Sequence, residues 1–433
     1  MPQRLLRRVR IIDFGEVFAG PYATTLLADA GADVIKIESV QRMPAIVRGD
    51  RTPRPGAPGY VDGDPGDEPW ERYFYYHCVE RNKRGITLNL ADPTGRDLFE
   101  RLICTADAVV SNYAGGVLDR LGFGYERLCA IRPDIVLLHL PGFGTQGPYR
   151  DHVSFAMVTE ALSGLFALRG YPESAPEDTA MNLWSDGVGA LTAAFATLAA
   201  LRYRSRTGRG QFIDISQAEA STTFASAAIL DLAMNGRVAG ASANADPVIA
   251  PNNTYPCAPD GNGLNADDRW VAISAGTAQQ WATLCRVMGR PDLVHDARFR
   301  TAADRKTNEA ALDAEIAAWT RTLTRRQAAD QLRAAGVPAS PVLDDADLES
   351  EPQVVARGSV QRLRHPKAGE QPYITGAWQI DGEQRWVARP PNTLGEHNSE
   401  VLCDLLGLDV ETLAALRRDD VIGETYLPSA GRG

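Results

Sequence analysis

The sequence predicts an α/β fold of two domains, a large one built on a parallel sheet and a smaller α+β one. Three observations carry that expectation. Val9 to Glu38 reads as an apolar run, a segment of helical period and an alternating run, which is a strand, helix, strand unit. The same alternation continues to Leu140, the pattern of parallel strands joined by right-handed crossovers. It then stops at a polar, irregular stretch, 237–256, beyond which a new strand, Arg269 to Ser274, is followed by charged helices to Ala335.

Taken in order, Val9 to Phe14 is the first strand, closed by Gly15. The segment TTLLADAG has helical period and ends on Gly31; Pro21 suits the first helical position, and the amides there face whatever binds at the strand ends. Asp33 to Glu38 is the second strand. Residues 43–70 are rich in Pro, Gly and charge and read as a surface loop. Arg81, Lys83 and Arg84 precede a strand at Ile86 to Leu90. Pro93 to Ala106 places Leu98, Phe99, Leu102 and Ile103 on one helical face, and strands follow at Asp107 to Tyr113 and Asp134 to Leu140.

After a glycine-rich loop at 142–147 and a helix within 152–169, Ser185 and Asp186 open a long helix of Ala, Leu and Gly on all sides. Such a helix is buried, with one carboxylate at its mouth. Asp is a favoured helix cap, so Asp186 has a purely structural reading as well as a chemical one. TGRG and QFIDIS then form a turn and a strand, and a small-residue helix leads out from Gln217.

Length allows about three domains, or two larger ones. Of the 433 residues 44% are hydrophobic and 23% charged, the composition of a soluble globular protein, with no apolar run expected to span a membrane. The start lacks a signal core, so the cytoplasm is the expected location. Six cysteines without a C-x-x-C pair suggest reduced, buried thiols. A net charge of -10 argues against nucleic-acid binding. The histidines have no metal-ligand spacing and no G-x-S-x-G elbow is present, so neither a catalytic metal nor a serine thioesterase is expected. Gly142 to Gly147 matches G-x-G-x-x-G, but Pro148 follows where a helix should already run, against a nicotinamide site.

Five segments together resemble the family III CoA-transferases, the CaiB/BaiF group that contains formyl-CoA transferase and carnitine CoA-transferase. They are Ala19 to Glu38 (AGPYATTLLADAGADVIKIE), Asn82 to Leu90 (NKRGITLNL), Gly142 to Pro148 (GFGTQGP), Thr207 to Ser216 (TGRGQFIDIS) and Leu394 to Asn398 (LGEHN). The resemblance implies a Rossmann-like large domain, a smaller domain and an interlocked homodimer. Residues 1–236 would be the first part of the large domain, 237–256 a linker, 257–335 the small domain, 336–348 a second linker, and 349–433 the part that returns to the large domain.

It also implies that Asp186 is the catalytic nucleophile and that Val17, Phe18, Ala19, Lys83, Arg84, Asn112, Tyr113, Arg120, Gly142, Phe143 and Gly144 contact coenzyme A. The CoA thioester would be a substrate rather than a bound cofactor, and a carboxylic acid the other partner, with no nucleic acid, membrane or metal. The segment NYAGGVLDRLG departs from the family's N-F-R-P-G-V-L-E-R-L-G at Ala114 and Gly115, which shifts the expected anion contact to Arg120.

The principal rival is an α-methylacyl-CoA racemase, which needs two acid/base groups at the α-carbon. The His-Asp pair of those enzymes would fall on Phe155 and Ala156, although His152 is three residues away. A CoA-binding scaffold without turnover is the third reading. The glycine-rich run of formyl-CoA transferase is absent between Asn252 and Trp270, which disfavours oxalate and formate.

Overall fold

The computed structural model describes residues 5–178, 183–261, 266–382 and 386–432. The chain divides into two units: Met1–Phe166, Ala180–Val238 and Pro352–Gly433 form the first, and Ala167–Thr179 with Ala239–Glu351 the second.

The first unit is built on strands β1 (Arg10–Phe14), β2 (Asp33–Glu38), β3 (Arg84–Thr87), β4 (Ala108–Ser111), β5 (Val136–His139) and β6 (Gln211–Asp214). They pair in the order β3-β2-β1-β4-β5-β6, all parallel, so the strand order reverses between β1 and β4. Ligands of open α/β sheets bind outside the carboxyl ends at such a reversal. The intervening helices are α1 (Ala19–Asp29), α2 (Phe74–Val79), α3 (Pro93–Ile103), α4 (Val117–Arg120), α5 (Tyr125–Ile131), α6 (Ala156–Leu162) and α7 (Trp184–Thr207). After β6 come α8 (Gln217–Thr222) and α9 (Ser226–Asn235).

Both faces of the sheet are buried, which is why its strands read as nearly continuous apolar runs. Successive side chains alternate between the faces. Ile11, Val34, Val110 and Leu138 pack with α1 and α7 on one side; Ile12, Ile35, Val109 and Leu137 pack with α3 on the other. The LGEHN segment seals the outer edge at β3. His397 exchanges bonds with the Gly85 backbone, and the Asn398 side chain accepts the Thr87 amide at 2.9 Å. An open sheet edge would otherwise invite pairing with another chain.

Four expectations need correction. Residues 43–70 are not simply a surface loop: Arg48 is fully buried, bonded to Glu38 and Glu71 and stacked on Tyr76, because that cation meets two carboxylates from elsewhere in the chain. The stretches expected as linkers supply strands: β7 (Asn252–Pro256) and β9 (Ala339–Pro341) flank β8 (Trp270–Ser274) in the antiparallel sheet of the second unit. Cys78 and Cys104 are exposed; of the six free thiols only Cys257 and Cys285 are buried.

Helix α7 has 24 residues and contains an 18-residue stretch with a mean hydropathy of 1.2, long and apolar enough to cross a membrane. It packs on α1, α6 and α8 through Gly189, Ala190, Ala193, Ala194, Thr197 and Ala200, while Leu191, Phe195 and Leu198 are exposed, so the helix expected to be buried is buried along one face only. Its end explains the TGRG motif. Gly208 takes the left-handed conformation that stops α7, at φ 70°, and a Cβ on Gly210 would lie 1.9 Å from the Ile135 carbonyl oxygen.

Candidate active site

At the β1/β4 reversal the chain turns through Gly15 to Phe18 into α1. Val17 holds φ at 62°, a conformation that a β-branched residue adopts only when its surroundings force it. Two devices force it. The Asn112 side chain accepts the Glu16 amide and donates to the Glu16 carbonyl, both at 2.7 Å. Beneath the turn, buried Asp13 accepts the Gly15 amide, the Thr24 hydroxyl and Lys83 Nζ. Burial pushes the Asp13 carboxyl up, but the Lys83 and Lys36 ammonium groups outweigh it and hold the group below the ordinary carboxylate value. The turn delivers the first amides of α1, with neither a side-chain cap nor an acidic residue, to the crevice.

Asp186 lies in the first turn of α7, entered through Leu183 at φ 52°. Its side chain is 7% exposed. Burial, then the negative charge of Glu160, pushes its carboxyl from 3.8 up to about 7. Glu160 and Thr159 project from α6: Glu160 accepts the Ser185 amide at 3.2 Å, and Thr159 Oγ1 lies 2.8 Å from Ser185 Oγ. From α2, Tyr75 feels the Asp186 charge; burial and that charge push its hydroxyl up to about 12, so it stays a hydrogen-bond donor. The Tyr75 ring meets Phe18 edge-on with centroids 6.2 Å apart, which brings the Val17 to Ala19 turn to the same place.

The 142–147 loop borders this site through Thr159. A Cβ on Gly142 would fall 1.7 Å from Ser154 Oγ and 3.1 Å from Thr159 Cγ2, so only glycine fits. The Gly142 carbonyl accepts the Ala218 amide and the Ser216 hydroxyl, while Asp214 binds the amide and hydroxyl of Thr145. The amides of Gly142, Phe143 and Gly144 meet no acceptor among the described residues. Phe143 packs edge-on against Tyr149 and His152.

Several of the side chains expected to contact coenzyme A are engaged within the chain. Lys83 is fully buried, and its three protons go to Asp13, Glu80 and the Pro21 carbonyl, which leaves none for a phosphate. Arg84 is bound to Asp33 and Glu400, and Arg81 to Asp29. The Asn112 amide is occupied by Glu16, and Tyr113 packs beside Phe14 against the core. Arg120, by contrast, is exposed at the end of α4 and makes no ion pair among the described residues.

A cavity of about 570 Å³ lies between α5 and the sheet, lined by Tyr125, His139 and Phe212 among others. Its wall carries charges of both signs, Asp119, Glu126 and Asp151 beside Arg127 and Arg150, and the arginines form exposed ion pairs with Glu100 and Asp151. Sequence reasoning missed Tyr75, Thr159 and Glu160. Glu160 sits two residues before the Leu162-Ser163-Gly164 end of its segment, but a helical carboxylate reads as solvent-facing unless its neighbours in space are known.

Residues 6–398 match CoA-transferase family III. The succinyl-CoA–D-citramalate CoA-transferase of Chloroflexus aurantiacus is 34% identical over 430 residues, 97% of this chain and 99% of its own length. The succinyl-CoA–L-malate CoA-transferase beta subunit of the same organism is 31% identical, covering 96% of this chain and 98% of its own. The crystal structure of a CaiB/BaiF family protein from Brucella suis matches with a TM-score of 0.78 at 29% identity, over 92% of this chain and 98% of that one.

Proposed function

This chain belongs to CoA-transferase family III and is a CoA-transferase, and from that premise we propose that it moves CoA from succinyl-CoA to a four- or five-carbon dicarboxylic acid through intermediates on Asp186. The single observation that carries the Asp186 role is its place: a buried carboxylate in the first turn of α7, beside a loop with unpaired amides. The substrate class rests on the two Chloroflexus relatives, whose names pair succinyl-CoA with D-citramalate and L-malate.

In this reading an Asp186 carboxylate oxygen attacks the thioester carbonyl, the C–S bond breaks, and CoA leaves as thiolate from a mixed anhydride. The thiolate attacks the Asp186 acyl carbon, which releases the donor acid as carboxylate and forms an aspartyl-CoA thioester. The acceptor carboxylate attacks that thioester, giving a second anhydride and the thiolate again. Attack of the thiolate on the acceptor's acyl carbon yields the new thioester and restores Asp186. No proton is gained or lost over the cycle.

The unpaired amides of Gly142 to Gly144 are suited to the tetrahedral oxyanion, where one donor is typically worth about 3 kcal/mol. The uncapped start of α1 is suited to an anionic group of CoA, and Arg120 to another. Burial of Asp186 keeps water from the anhydride.

A homodimer, interlocked as in the family resemblance, belongs to the same proposal. Leu191, Phe195 and Leu198 lie at i, i+4 and i+7 on α7 and are 55%, 75% and 41% exposed; Phe224, Ile229, Leu230 and Met234 add to the exposed apolar surface around α9. Patches of this kind mark protein interfaces.

The deciding experiment incubates the protein with succinyl-CoA and a panel of mono-, di- and hydroxydicarboxylates and follows new CoA thioesters by mass spectrometry. Turnover with four- or five-carbon dicarboxylates is expected. Transfer only to monocarboxylates would overturn the substrate class, and α-epimerisation of a branched acyl-CoA without transfer would favour the racemase reading.

A further inference from the structure

Glu160 is fully buried in α6 and takes no part in the four transfer steps, yet it is bonded to the residue next to the nucleophile. Its Oε1 accepts the Ser185 amide, and the neighbouring Thr159 hydroxyl reaches Ser185 Oγ, so two consecutive side chains of α6 hold the first turn of α7. Ser185 Oγ also donates to the Ala156 carbonyl at 3.2 Å, a third tie between the same two segments. The like charge this brings to Asp186 acts with burial to raise its carboxyl to about 7.

Other ionisable groups lie on the elements packed against α7. α1 carries Tyr22 and Asp29, α8 carries Glu219, and β5 and β6 end in His139 and Asp214. Among the described residues, the charge acting on Asp186 is that of Glu160 on α6, and Asp186 in turn acts on Tyr75 on α2. A carboxylate made more basic by its neighbour is a stronger nucleophile once ionised, at the cost of needing a higher pH to ionise.

We propose that Glu160 is a positioning residue for the nucleophile: through the Ser185 amide it fixes the first turn of α7, and through its charge it tunes the reactivity of Asp186. This rests on Asp186 being the nucleophile. The two substitutions that separate the roles are Glu160→Gln, which keeps an acceptor oxygen and removes the charge, and Glu160→Asp, which keeps the charge and withdraws the acceptor.

The test measures transfer against pH from 5 to about 9 for the wild type, both variants and Asp186→Asn, with thermal melts of each. Glu160→Gln is expected to move the acid limb of kcat/KM down by at least about one pH unit. Glu160→Asp is expected to leave the limb in place and lower kcat roughly 10-fold. An unmoved limb in active Glu160→Gln overturns the tuning role. If that variant gives no cooperative melt, Glu160→Asp decides, and wild-type kcat there overturns the positioning role. Transfer that persists in Asp186→Asn refutes the nucleophile itself, a failure distinct from either limb result.

Discussion

Lys83 Nζ and Asp13 Oδ2 lie 2.8 Å apart with neither side chain reaching solvent. Glu80 and the Pro21 carbonyl take the other ammonium protons, so the cation belongs to the scaffold under the α1 turn. Breaking such a pair leaves a buried charge uncompensated. Lys83→Ala should cost roughly 3–5 kcal/mol, read as a lower denaturant midpoint, with the CoA affinity of the folded protein unchanged. Arg120→Glu should do the reverse, shifting stability by less than about 0.5 kcal/mol while raising the apparent CoA constant and weakening its salt dependence. A stable Lys83→Ala protein with weakened CoA binding would return Lys83 to the ligand site.

Asp186→Asn and Asp186→Ala should lower transfer by at least about 1,000-fold, with CoA affinity within a few-fold of wild type. Mass spectrometry after hydroxylamine trapping should find the adduct on Asp186 in the wild type alone. Full activity of Asp186→Ala would end the covalent mechanism.

The ionisation of Asp186 links activity and stability to pH in opposite senses. Activity needs the carboxylate, so kcat/KM should rise through about pH 7. The folded carboxyl holds its proton more tightly than the unfolded one, so its contribution to stability is full below 3.8 and is lost as pH rises through about 7. The loss amounts to at most about 4 kcal/mol. Asp186→Asn removes it, and urea unfolding at pH 8 should show that variant more stable than wild type. Equal stability of the two at pH 8 would mean that the carboxylate is not strained in the fold.

Tagged and untagged protein mixed as native pools should yield no heterodimer over days, whereas co-expression should yield it, if the chains are interlocked. A monomer by sedimentation, or free exchange, would refute the interlocked dimer. Phe195→Glu, which charges the centre of the exposed stripe on α7, should cut the yield of soluble dimer.

The parallel sheet and the place of Asp186 in the first turn of α7 were legible because their signals are local. Ile11 and Ile12 read as a strand buried on both sides, and Ser185-Asp186 ahead of a small and apolar run reads as the start of a helix, whose outer face only the structure shows to be exposed. Both patterns lie within a few residues of the group they describe. Tertiary structure alone decided which charges meet solvent and which meet one another. Lys83 finds Asp13 from 70 residues away, Arg84 finds Asp33 from 51, and Glu160 reaches Ser185 across 25. A side chain's charge is written in its residue type, whereas its electrostatic role depends on the dielectric and the partners supplied by packing, and those come from elements distant in the chain.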